Sequence, residues 1–126
     1  MSGNILAVVD DLVFASKIRG TAEQVGVSVR FPRGSEALIE GALRDRPALI
    51  ICDLHAQKID PFKLAKTLKA DERLCAIPLL GFFSHVQTEL QRQAEAAGFD
   101  RVVPRSKFSR TLSAVLTTNS LGQQTE

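Results

Sequence analysis

Tryptophan and tyrosine are both missing from this 126-residue chain, methionine occurs once and cysteine twice. Without tryptophan no indole fluorescence reports on any site. The two cysteines exclude a disulfide framework: Cys52 sits inside the apolar run 49–52, Cys75 in a short connection, and their spacing suits no metal site. Long hydrophobic runs are absent too, so no segment approaches the ~20 apolar residues of a bilayer-spanning helix. No membrane partner is expected. The first apolar run, residues 5–9, is short and ends on two aspartates, unlike a secretory leader. A reducing cytoplasm is the expected location. Charge of one sign is scarce: 16 basic residues face 14 acidic ones, a net charge of +2. That is too little to draw nucleic acid directly. The short basic clusters Lys63/Lys66/Lys69 and Arg101/Arg105/Lys107 read as solvated surface.

What the chain does contain is alternation. Hydrophobic residues make up 44% of it, enough for the core of one domain, and the length leaves no room for a second. Residues 5–9 read as a strand. Leu12–Val25 has helical spacing through Phe14, Ile18, Ala22 and Val25, with Gly26 as its cap. Residues 27–31 form the next strand candidate, Ser35–Arg44 a helix and residues 48–52 a third strand. Asp60-Pro61 reads as N-cap and first helical residue. A fourth strand over 78–83, a helix over Thr88–Ala97 capped by Gly98, a fifth strand at 102–103 and a last helix over 107–116 complete the order. Residues 1–117 are thus one domain, and the polar stretch 118–126 is expected to be a frayed tail.

Strands alternating with helices imply βαβ units, a parallel sheet and right-handed crossovers. The expected fold is a doubly wound three-layer αβα sandwich with five parallel strands in the flavodoxin-like order 2-1-3-4-5. Working residues in such sheets lie beyond the carboxyl ends of the strands. Asp10 and Asp11 stand there after the first strand, Asp53 after the third, Phe83 and Ser84 after the fourth, and residues 104–107 after the fifth. Three carboxylates converging on one point need a counter-charge, which a hard divalent cation supplies. An aspartate beside such an ion is also a nucleophile toward phosphorus. Read one at a time, each aspartate equally well ends a strand or caps a helix.

The runs Ile5-Leu6-Ala7-Val8-Val9-Asp10-Asp11 and Leu49-Ile50-Ile51-Cys52-Asp53-Leu54, with Ala96-Ala97-Gly98-Phe99, resemble the receiver domains of response regulators. The resemblance runs from about residue 4 to residue 116. It implies that Asp10 and Asp11 hold Mg²⁺, with Asp53 and a backbone carbonyl near His55 completing the shell. It implies that Asp53 accepts a phosphoryl group from a histidine kinase or phosphotransfer protein, and that a downstream protein reads the result. A homodimer stays open.

The chain departs from that family where the phosphorylated state is read. A hydroxyl is usual at the end of the fourth strand, but Phe83 stands there, and a phenyl ring donates no hydrogen bond. Ser84 would serve only after a one-residue slip, which reverses side-chain direction. Arg105 falls at the family's lysine and Ser106 at its proline; Lys107 is the alternative cation, and locally Ser106 reads as a helix cap. Val102 falls near the family's aromatic switch position. A phosphorylation-independent docking module is therefore the alternative to a working receiver. An enzyme is not expected, because Asp53-Leu54-His55 lacks a second aspartate and no Gly-rich phosphate loop follows the first strand. The helix from Thr88, the fifth strand and the last helix are the expected binding face, through Gln91, Arg92, Glu95, Arg101, Arg110 and Thr111.

Overall fold

The computed structural model describes residues 4–84 and 88–118. Strands β1 (Asn4–Val8), β2 (Ser28–Arg30), β3 (Leu49–Asp53), β4 (Leu79–Phe83) and β5 (Arg101–Pro104) alternate with helices α1 (Leu12–Val25), α2 (Ser35–Arg44), α3 (Pro61–Ala70), α4 (Thr88–Ala97) and α5 (Arg105–Thr118). All strands pair in parallel, in the order β2-β1-β3-β4-β5. The expected sandwich is the observed one. Residues 119–126 of the expected tail lie outside the described residues, and Thr118 closes α5.

Local chemistry sets several boundaries. The Asp60 side chain accepts from the Phe62 and Lys63 N–H groups at the start of α3, and Pro61 follows it. Gly26 ends α1 at φ 76°, a left-handed conformation that an L side chain resists. The end of the chain differs from expectation. α5 starts at Arg105, directly behind β5, because Pro104 has no N–H to extend the ladder and no loop intervenes. Ser106 thus lies inside the first turn and is not the cap.

Buried side chains divide into two layers by strand alternation. One cluster, with Leu6, Ile50, Leu54, Phe83 and Phe99, packs beneath α2, α3 and α4. The other, with Ile5, Ile51, Phe14, Phe82 and Phe108, packs beneath α1 and α5. Among the described residues, no helix is long and apolar enough to cross a membrane. Both cysteines are free.

Candidate functional site

β1 and β3 sit side by side with Val8 opposite Cys52, so their carboxyl ends deliver Asp10, Asp11 and Asp53 to one edge of the sheet. Asp53 closes β3 and is 7% exposed. Its Oδ1 accepts from the backbone N–H of His55 at 2.9 Å. Burial pushes its pKa above the ordinary carboxylate value. The His55 N–H and the charges of His55 and Arg105 oppose that rise, and Asp10 adds to it. The neighbouring Cys52 thiol is pushed up to about 12 by burial and then by the Asp53 charge, so it stays a thiol.

Asp10 faces the loop that follows Asp53. Its Oδ2 accepts from the N–H groups of Gln57 (2.7 Å) and Lys58 (3.3 Å), binding the β3–α3 connection to the end of β1. Asp10 also lines a cavity of about 470 Å³, with Arg19, Arg33 and Lys58 among its walls.

Asp11 turns elsewhere. Its Oδ1 caps α1, accepting from Val13 (2.9 Å) and Phe14 (3.1 Å), and its Oδ2 accepts from Arg105 Nη2 at 3.0 Å. The Arg105 hydrogen bond and then the Phe14 N–H hold its carboxyl below the usual range. The Arg105 guanidinium lies 4.2 Å from the centroid of the Phe14 ring. Phe14 meets Phe82 edge-on at 5.2 Å, and Phe82 stacks on Phe108 at 5.0 Å. Lys17 and Ser109 also link α1 to α5 through a side-chain hydrogen bond.

The three carboxylates thus reach one edge of the sheet, but Asp10 and Asp11 each turn an oxygen to other partners. Among the described residues no three aspartate, glutamate, histidine or cysteine side chains gather as a metal-ligand set. Asp11 is taken by the helix it caps and the arginine it pairs, and Asp10 Oδ2 by two loop amides. As arranged, Asp11 does not offer the oxygen that the implied Mg²⁺ shell takes from it, while Asp10 Oδ1 and Asp53 Oδ2 carry no hydrogen bond among the described residues.

The remaining predicted residues separate. Phe83 is 4% exposed and packs in the layer under α2, α3 and α4, with Val102 against the same cluster. Register puts Asp53 opposite Phe82 and Phe83 opposite Pro104, so Ser84 lies past the strand end, exposed. Lys107 sits two residues beyond Arg105, about 200° around the helix, and does not share its direction. On the expected binding face Arg92, Glu95, Arg110 and Thr111 are exposed, while Gln91 and Arg101 are half-buried. Sequence reasoning missed Phe14, read as an ordinary core position. Its spacing of three residues from Asp11 was the available signal.

No family model and no curated protein matches the chain. Solved structures do. A protein described as a response regulator from Chloroflexus aurantiacus superposes with TM-score 0.81 at 18% identity, covering 94% of this chain and 98% of that one. The chemotaxis response regulator CheY4 of Vibrio cholerae gives 0.79 at 18%, with 94% and 99% covered. The Mn²⁺-bound form of response regulator Rcp1 gives 0.76 at 15%, with 96% and 99% covered. At such identities the likeness establishes the fold: this chain is built as receiver domains are built.

Proposed function

We propose that the chain is a two-component receiver module that accepts a phosphoryl group on Asp53 and signals through contact with another protein. The observation that carries this reading is the placement of Asp53: a nearly buried carboxylate ending the central strand, with Asp10 and Arg105 near enough to act on its charge. The donor is a histidine kinase or phosphotransfer protein, and the reaction is a displacement at phosphorus. An Asp53 oxygen attacks, the bond from phosphorus to the donor's imidazole nitrogen breaks, and that nitrogen keeps the electron pair. The His55 N–H orients the carboxylate, and Arg105 supplies permanent positive charge beside it. In this reading the role is signalling rather than enzymatic. A cytoplasmic location fits that role.

A second reading has its own support. Phe83 is buried where receivers usually present a hydroxyl, so the ordinary response to a phosphoryl group has no donor at that position. A docking module independent of phosphorylation is therefore the rival. Intact-protein mass spectrometry after incubation with acetyl phosphate separates the two. One phosphoryl group on wild type and none on Asp53→Asn is expected. No adduct on protein shown to be folded by circular dichroism moves the assignment to the docking module.

A further inference from the structure

We propose that Arg105 is the built-in cation of this site and keeps divalent metal out of it. This deepens the reading of Asp53 as phosphoacceptor and rests on it. Geometry is the first argument. A hard ion such as Mg²⁺ requires near-octahedral oxygen ligands at about 2.0–2.1 Å and sheds its own water reluctantly. At Asp11 both oxygens are already engaged, Oδ1 by two N–H groups of α1 and Oδ2 by Arg105. At Asp10, Oδ2 holds two loop amides. An ion that takes Asp11 as a ligand must break the Asp11–Arg105 pair, and one held by Asp10 Oδ1 and Asp53 Oδ2 still meets the charge of a guanidinium that cannot deprotonate.

How Arg105 is held is the second, independent argument. It occupies the first turn of α5, where the helix dipole disfavours a cation, and no acidic residue shares that turn. Helix stability therefore does not account for it. What holds it is outside α5: the carboxylate of Asp11, 94 positions away in sequence, and the face of Phe14. Phe14 is itself wedged against Phe82 and Phe108 in the core. The side chain is 32% exposed, so the charge is partly desolvated and its attractions are less screened than at the open surface. A lysine there would present a point charge without the planar face that stacks on Phe14.

The consequence is a phosphoacceptor whose charge compensation comes from the chain itself. With acetyl phosphate, an Asp53 oxygen bonds to phosphorus while the bond from phosphorus to the acetyl oxygen breaks, and acetate leaves with the electron pair. No ion enters that balance.

Two readouts test this. The first is Mn²⁺ titration followed by paramagnetic broadening of backbone amide NMR signals. Wild type is expected to show no preferential broadening at Asp10, Asp11, Leu54 and His55. Arg105→Ala and Arg105→Gln should gain it, binding Mn²⁺ at least about tenfold more tightly, the scale of removing one nearby charge. Both variants are compared because glutamine retains bulk over Phe14, and spectral dispersion verifies their fold. Preferential broadening in wild type, as strong as in the variants, overturns the proposal. The second readout is the Asp53 adduct with EDTA against the adduct with Mg²⁺. Similar yields are expected. An adduct that forms only with Mg²⁺ overturns the exclusion while leaving the acceptor intact. No adduct in either buffer overturns the acceptor reading, and the Mn²⁺ titration then decides the exclusion alone.

Discussion

The two faces of the sheet use their phenylalanines differently. Under α1 and α5, Phe14, Phe82 and Phe108 form a continuous aromatic cluster, and Phe14 carries Arg105 on its face at the edge of the site. Under α3 and α4, Phe83 and Phe99 are buried among aliphatic side chains, and α4 itself buries only Ala94 and Ala97. One face positions a charge; the other fills space. The same dipeptide, Phe82-Phe83, serves both, because adjacent strand residues point to opposite faces. The permanent charge therefore reaches the site from the α1/α5 side, and on the α3/α4 side Phe83 packs in the core.

The comparison breaks most visibly at the dipeptide. Phe82→Ala and Phe83→Ala should each cost about 3–5 kcal/mol in urea unfolding, the range for emptying a buried phenyl site. They should differ at the site: only Phe82→Ala removes the ring beneath Phe14, so only it should shift the Arg105 Nε NMR signal. Phosphoryl acceptance should survive Phe83→Ala. Gly98→Ala probes the α3/α4 side with a smaller effect. Gly98 has φ 120°, and an added Cβ would come within 2.7 Å of Lys69 Cγ. Lys69 cannot swing aside freely, since its Nζ bonds Asp100 at 2.9 Å and the Cys75 carbonyl at 3.1 Å. A loss of about 1–3 kcal/mol in thermal unfolding is expected, without change at Asp53. Asp60→Ala removes the α3 cap and should cost about 1 kcal/mol by the same measurement.

The smallest effects are electrostatic and opposite in sign. Asp53 has a raised carboxyl pKa in the fold, so its contribution to stability is present below the unfolded pKa and lost as pH rises through the folded one. Asp53→Asn should thus stabilise the protein at neutral pH and do so progressively less on acidification. Asp11 has a lowered pKa, so its contribution is present above the unfolded value and lost as pH falls through the folded one. Asp11→Asn should weaken the fold at neutral pH, with the difference closing in acid. Paired thermal melts from neutral to acid pH check both. Curves of the same sign would undo the contrast between the two carboxylates.

Much of this molecule was legible in the chain because its signals are short-ranged. Gly26 and Asp60-Pro61 act within one helical turn, and apolar runs bounded by them count out the strands without any tertiary knowledge. Asp53 was legible for the same reason, as the residue where a buried run ends. Arg105 was placed at the correct strand end, yet its partner was not. Pairing with Asp11 depends on how α1 lies against α5. Lys107, the alternative cation, and Ser84, usable only after a register slip, are turned away by helix phase and register.

The sequence by itself determined the alternation of strands and helices, the sheet order that right-handed crossovers allow, and the delivery of three aspartates to one edge. These follow from periodicity and backbone sterics, which act over a few residues. Only the tertiary structure decided what the aspartates do there. Asp10 bonds amides 47 and 48 positions away, and Asp11 bonds an arginine 94 positions away. A carboxylate takes the donors that packing brings within about 3 Å, and no local pattern specifies which ones those are.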